Sequence, residues 1–218
     1  MEYSNIYEKI KLLTGSGMWH TREAEGLPSV HLSDGPHGLR KQEEKERRNN
    51  VSLVSTCYPT ASALACSWDV TAAERLGRAV AKEAWNADVA VLLGPGINMK
   101  RSPLCGRNFE YFSEDPFLAG RLGAAYVSAA QGEDVAVSLK HFAANNQETN
   151  RQTSNSQIDE RALREIYLSA FEYVVKTARP ATVMASYNRL NGYYACENRH
   201  LLTEILREEW GFDGVVIS

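Results

Sequence analysis

Lys140 and His141 follow directly on an apolar run, VAVSL at 135–139. A lysine buried there without a partner would cost several kcal/mol, so Lys140 calls for partners or a wet cavity at the strand end. Asp34 holds the same position after VHLS at 30–33, in the turn Ser33-Asp34-Gly35-Pro36. Arg107 lies in CGRNFEYFSEDP beside Glu110, Glu114 and Asp115, and Met184 and Tyr187 belong to VMASYN. Together these residues offer a carboxylate, a guanidinium, an ammonium, an imidazole and a phenol. Such a set suits a polyhydroxylated ligand, because the carboxylate accepts from hydroxyls while the cations donate at fixed angles. Each residue also has a plainer role. Lys140-His141 could simply end a strand, Asp34 could close an Asx turn, Arg107 could pair within its loop, and Met184 and Tyr187 could fill a core. Phosphorylated sugars are the rival ligand class. Asp34 and the lack of a glycine-rich phosphate loop count against them.

Other chemistries lack their residues. Gly94-Pro95-Gly96 follows a strand-like run, but the third glycine of a dinucleotide loop is missing and no helix opens behind it. No GxSxG elbow occurs, and the five histidines show no HExxH spacing, so neither a serine hydrolase nor a zinc enzyme is indicated and no cofactor is expected. The net charge of -3 gives no electrostatic basis for nucleic-acid binding. The first residues are acidic, without an apolar signal core, and no apolar run approaches the ~18 residues of a membrane span. Cys57, Cys66, Cys105 and Cys196 are widely spaced and read as free thiols of a cytoplasmic protein. The Asn50-Val51-Ser52 sequon has no export signal to give it meaning.

The elements that must position these groups alternate. Apolar runs at 30–33, 89–93, 135–139, 182–186 and 215–218 are separated by stretches of helical period. An opening helix is predicted at about 5–13. Further helices carry Leu76 and Val80, then Leu122 and Tyr126 up to Gly132, then Leu163 to Val175 before Arg179-Pro180, then Leu201 to Leu206 behind an Asn198 cap. Thr71 to Glu74 reads as a capping box, and KQEEKERRNN at 41–50 as a solvated loop. Continuous apolar strands alternating with helices predict a parallel α/β sheet covered on both faces. Polar, chemically capable residues follow nearly every run, as expected of a (β/α)8 TIM-like barrel, whose strand ends converge on one mouth. A doubly wound sheet would instead gather them at one crevice. Only about five or six strands are visible, so the barrel is incomplete.

SDGPHGLRK, GPGINMKRSPLCGRNFEYFSEDPFLAG, KHFAANNQETNR, DERALREIYLSAFE and VMASYNRLNG resemble, in that order, the motifs of the glycoside hydrolase family 3 catalytic barrel. The resemblance runs from about Ile6 to Ser218 and is nearest the cytoplasmic bacterial β-glucosidases. It implies that residues 1–218 are the amino-terminal part of that barrel domain, with later strands and carboxy-terminal domains absent. It also implies that Asp34, Arg107, Lys140 and His141 hold the hydroxyls of the first sugar, that Met184 and Tyr187 line it, and that Arg40 stands behind them. The implied activity is retaining, exo-acting hydrolysis of a β-glucoside or oligosaccharide, with two carboxyl groups about 5 Å apart across the bond. The nucleophilic aspartate would come directly after Ser218 and the acid/base from a later domain, so an isolated chain would be inactive. The branch with KHFPGHG is excluded by KHFAANN. Asp213 precedes its strand and reads as a turn residue on the face opposite the chemistry. Two alternatives stay open: a pentose-specific xylosidase or arabinosidase of the same family, or a non-catalytic sugar-binding fragment that meets its missing part or another chain along an open edge.

Overall fold

The computed structural model describes residues 6–24, 26–42 and 51–218. Most of the predicted charged loop, and Asn50 of the sequon, lie outside the described residues. In chain order the strands are β1 (Leu32–Asp34), β2 (Val91–Leu93), β3 (Ala136–Phe142), β4 (Asn155–Ser156), β5 (Thr182–Ala185), β6 (Arg189–Leu190), β7 (Tyr193–Tyr194) and β8 (Val215–Ile217). Five of them, the five predicted apolar runs, form one parallel sheet in the order β1-β2-β3-β5-β8. That order never reverses along the sheet. A doubly wound sheet must reverse at its switch point, whereas a (β/α)8 barrel lays successive strands side by side, so the sheet is part of a barrel wall.

Helices cover the sheet. α1 (Ile6–Leu12) buries no residue, and α2 (Ala61–Ala65) is short. α3 (Val70–Asn86) and α4 (Pro116–Gln131) pack closely at Gly77, where a Cβ would stand 2.5 Å from the Tyr126 carbonyl oxygen. The predicted capping box is corrected: α3 starts a residue before Thr71, and extended Asp69 caps it by accepting from the Thr71 amide at 2.8 Å. Asp115 and Asp159 likewise cap α4 and α5 (Glu160–Ala162). α5 runs through a π-turn, closed by the Leu168 amide on the Leu163 carbonyl, into α6 (Ser169–Ala178), which ends at left-handed Arg179. The last helical segment, His200–Glu209, is also π-helical, and Asn198 accepts from the Leu201 amide as predicted. Leu92, Val137, Leu139 and Val183 are fully excluded from solvent between sheet and helices.

After β5, the segment YNRLNG forms a hairpin that was not among the predicted elements. Asn191 and Gly192 both have positive φ, 50° and 96°, and join antiparallel β6 and β7 as a two-residue hairpin beside β4. Asn-Gly is the pair that such a turn favours, so the signal was present in the sequence.

Candidate active site

The polar groups gather where the parallel strands end. At the end of β1, Gly35 has φ +122°, and a Cβ there would meet the Gly38 carbonyl oxygen at 2.0 Å; only glycine lets the chain turn back at this point. The returning Arg40 amide donates to the Asp34 carbonyl at 2.9 Å. Arg40 therefore supports Asp34 through its backbone, and its side chain is exposed. Beyond β2, Gly94-Pro95-Gly96 runs alongside β3 instead of cradling phosphate. The Lys140 amide donates to the Pro95 carbonyl and the Ile97 amide to the Lys140 carbonyl, at 3.1 and 2.9 Å. Asn98 grips the next residue at two points, donating to the His141 carbonyl at 2.8 Å and accepting from the His141 amide at 2.7 Å.

Arg107 reaches the site through a tight turn. The segment Asn108–Glu110 is a 3₁₀ turn, in which side chains three apart stand one above the other, so Arg107 and Glu110 pair directly through Nε and Oε1. The turn is anchored from below by the Ser62 hydroxyl, which donates to the Asn108 carbonyl at 2.7 Å.

Lys140 finds the partners its burial demands. Its side chain is 3% exposed, with Asp34 Oδ1 at 3.3 Å and Glu110 Oε2 at 3.6 Å. The chain of charges then runs through Arg107 to Glu148 at 4.0 Å and on to Arg151 at 3.2 Å. Arg151 lies over the Tyr187 ring, 5.3 Å from its centroid. Three carboxylates face three cations, so the mouth as a whole is close to neutral. Glu110 is almost wholly buried between its cations, whereas Asp34 is 38% exposed and keeps acceptor capacity for a ligand.

His141 is buried and neutral. Burial holds its pKa well below the usual histidine range, and Lys140, Arg107 and Arg151 add repulsion against a positive charge. Its Nδ1 lies 2.9 Å from the Tyr111 hydroxyl, which accepts from Asn145 Nδ2 at 3.0 Å. Tyr111 is kept protonated, with its pKa raised chiefly by burial. With one of the hydroxyl's acceptor sites taken by Asn145, we assign the Tyr111 O–H as donor to Nδ1, which puts the imidazole proton on Nε2. On Arg107, burial opposes the charge, but the hydrogen bond and charge of Glu110 outweigh it and the guanidinium stays protonated.

Asp34, Arg107, Lys140 and His141 thus come together, and Tyr187 joins them through Arg151. Met184 is half-buried near the end of β5, opposite Ile217 of β8. Asp115 does not pair with Arg107, because it caps α4. Asp213 is exposed ahead of β8, at the other end of the sheet. Sequence reasoning named Glu110 only as a loop partner, and it missed Glu148, Arg151, Tyr111, Asn98 and Asn145.

Residues 36–218 match the Glycosyl hydrolase family 3 N terminal domain. The chain belongs to glycosyl hydrolase family 3. It is 54% identical over 217 residues to thermostable β-glucosidase B of Acetivibrio thermocellus, covering 98% of this chain and 29% of that protein. It is 50% identical over 218 residues to an exo-α-(1→6)-L-arabinopyranosidase of Bifidobacterium longum, with the same coverage. Among solved structures, β-glucosidase 3B of Thermotoga neapolitana in complex with glucose superposes with a TM-score of 0.91 at 42% identity, over 97% of this chain and 32% of that one. The chain therefore spans about a third or less of the length of these relatives.

Proposed function

We propose that this chain carries the sugar-binding part of a retaining, exo-acting β-glucosidase. The observation that carries the reading is the ion-paired cluster of Asp34 at the end of β1, Lys140 in β3 and Arg107 on the turn beyond β2, beside neutral His141. A neutral, hydroxyl-rich ligand suits that mouth. Asp34 accepts from hydroxyls, Lys140, Arg107 and the Nε2 proton of His141 donate, and the balanced charge gives no excess attraction for phosphate. Glucose in the related Thermotoga neapolitana structure supports the same ligand.

Retaining hydrolysis needs a nucleophile and an acid/base across the glycosidic bond, about 5 Å apart. We assign the nucleophile to an aspartate directly after Ser218 and the acid/base, with the remaining strands, to sequence beyond this chain. Contact with that sequence is expected along β8. Asp34 is not a substitute, because it is tied to the Lys140 ammonium and engaged by sugar hydroxyls. The four free thiols support a cytoplasmic location.

A second reading is pentopyranoside specificity, favoured by the 50% identity to the arabinopyranosidase. Binding of glucose, xylose and L-arabinopyranose by the 218-residue chain, followed by NMR, distinguishes the two. Glucose is expected to bind tightest, without turnover of an aryl β-glucoside. A clear preference for the pentoses would establish the second reading, and turnover abolished by Asp34→Asn would refute the assignment of the nucleophile.

A further inference from the structure

Glu110 takes no part in the sugar-binding set described above, yet it joins its two strongest donors. Its two carboxylate oxygens are divided between them: Oε1 accepts from Arg107 Nε, and Oε2 faces Lys140 Nζ at 3.6 Å. Its side chain is 6% exposed and Lys140 is 3% exposed, so solvent contributes little to holding either charge. Asp34 Oδ1 is the other carboxylate oxygen at Lys140 Nζ, 3.3 Å away. The ammonium is therefore shared by two carboxylates, one partly open to solvent and one buried. Glu110 is itself fixed by its turn, through its amide on the Arg107 carbonyl at 3.1 Å, and by Gly96, where a Cβ would come within 3.2 Å of its carbonyl oxygen.

We propose that Glu110 is a positioning residue that sets the separation of the Arg107 guanidinium and the Lys140 ammonium, and so places both donors for one sugar ring. This rests on the sugar-binding reading above. Without the Glu110 charge, the two cations no longer share a carboxylate and nothing between them offsets their mutual repulsion: Lys140 keeps Asp34 at 3.3 Å, and Arg107 keeps Glu148 at 4.0 Å. The donors then part, and a ligand that must meet both loses the geometry on which multiple hydrogen bonds depend.

The test compares the 218-residue chain with Glu110→Gln and Glu110→Asp. Two readouts are used: the NMR signals of the Lys140 ammonium and the Arg107 Nε–H, and the Kd for glucose. In the wild type both nitrogen signals are expected to be protected from exchange. Glu110→Gln should lose that protection and weaken glucose binding at least tenfold, while amide signals away from the site stay in place. Glu110→Asp keeps the charge but is one methylene shorter; it should retain the Arg107 signal, lose the Lys140 signal, and bind glucose at an intermediate level. Unchanged nitrogen signals in Glu110→Gln, or a change in Kd below twofold, would overturn the proposal. Should Glu110→Gln not fold, Glu110→Asp decides the matter on the same readouts, with an unchanged Lys140 signal counting against it. If the wild type binds no glucose, the sugar-binding reading fails, and the nitrogen signals alone decide whether Glu110 holds the cations.

Discussion

Tyr111→Phe removes one oxygen and leaves the ring, so its effect isolates the polar network behind His141. The ring is fully buried, and the phenylalanine fits the same space without opening a cavity. Two hydrogen bonds disappear: the hydroxyl on His141 Nδ1 at 2.9 Å and the Asn145 amide on the hydroxyl at 3.0 Å. Asn145 keeps Glu148 for its other N–H, so one donor and one acceptor are orphaned. A buried polar group left without a partner costs about 1–3 kcal/mol, which gives a loss of about 2–6 kcal/mol for the pair. At roughly 2–4 °C per kcal/mol for a chain of this size, the melting temperature should fall by roughly 6–12 °C for a loss near 3 kcal/mol. Urea denaturation followed by circular dichroism measures the stability, and long-range ¹H–¹⁵N NMR of the histidine rings reports the tautomer. The wild type should show His141 protonated on Nε2 only, and the variant should lose the hydrogen-bonded Nδ1 signature. A loss below about 0.5 kcal/mol with an unchanged His141 spectrum would refute the network.

Two other outcomes follow from packing and charge. His141 and His37 are both held below the ordinary histidine value of 6.5, mainly by burial. The unfolded chain therefore takes up protons below about pH 6.5 that the folded chain refuses; stability is full above that value and falls on acidification. His200 acts in the opposite sense, because Glu204 raises its pKa, but it is about half exposed and contributes little. Urea midpoints between about pH 7.5 and 5.5 should fall, and His141→Gln should flatten the slope; an unchanged slope would contradict the buried neutral histidine. Gly77→Ala forces a methyl to within 2.5 Å of the Tyr126 carbonyl and should cost about 1–3 kcal/mol by the same denaturation assay, whereas a neutral result would mean that α3 and α4 can separate freely.

The parallel strands were legible because each is a continuous apolar run bounded by turn residues. Lys140 stood out because an ammonium is costly where leucine would be ordinary. The support network was not legible. Asn98 meets His141 across 43 residues, and Asn145 meets Tyr111 across 34, and neither asparagine departs from what a loop ordinarily contains. Glu110 was visible as a partner for Arg107 because the two are three apart, but its second partner comes from β3, thirty residues on. The α3 cap was misplaced because Thr71 and Glu74 fit the capping-box spacing while Asp69, two residues earlier, fits the same need. The hairpin at Asn191-Gly192 did carry its signal, but it stood directly after a strand whose end was already accounted for.

The central claim is that the ends of β1 and β3 form a sugar subsite. Titrating the chain with glucose while following side-chain NMR signals tests it most directly. The account predicts that Lys140, His141 and Arg107 shift together along one saturable curve and that Asp34→Asn abolishes it. No saturable shift at these residues, or shifts confined to the cavity of about 380 Å³ lined by Val175, Arg179, Trp210 and Asp213 at the opposite end of the sheet, would contradict it.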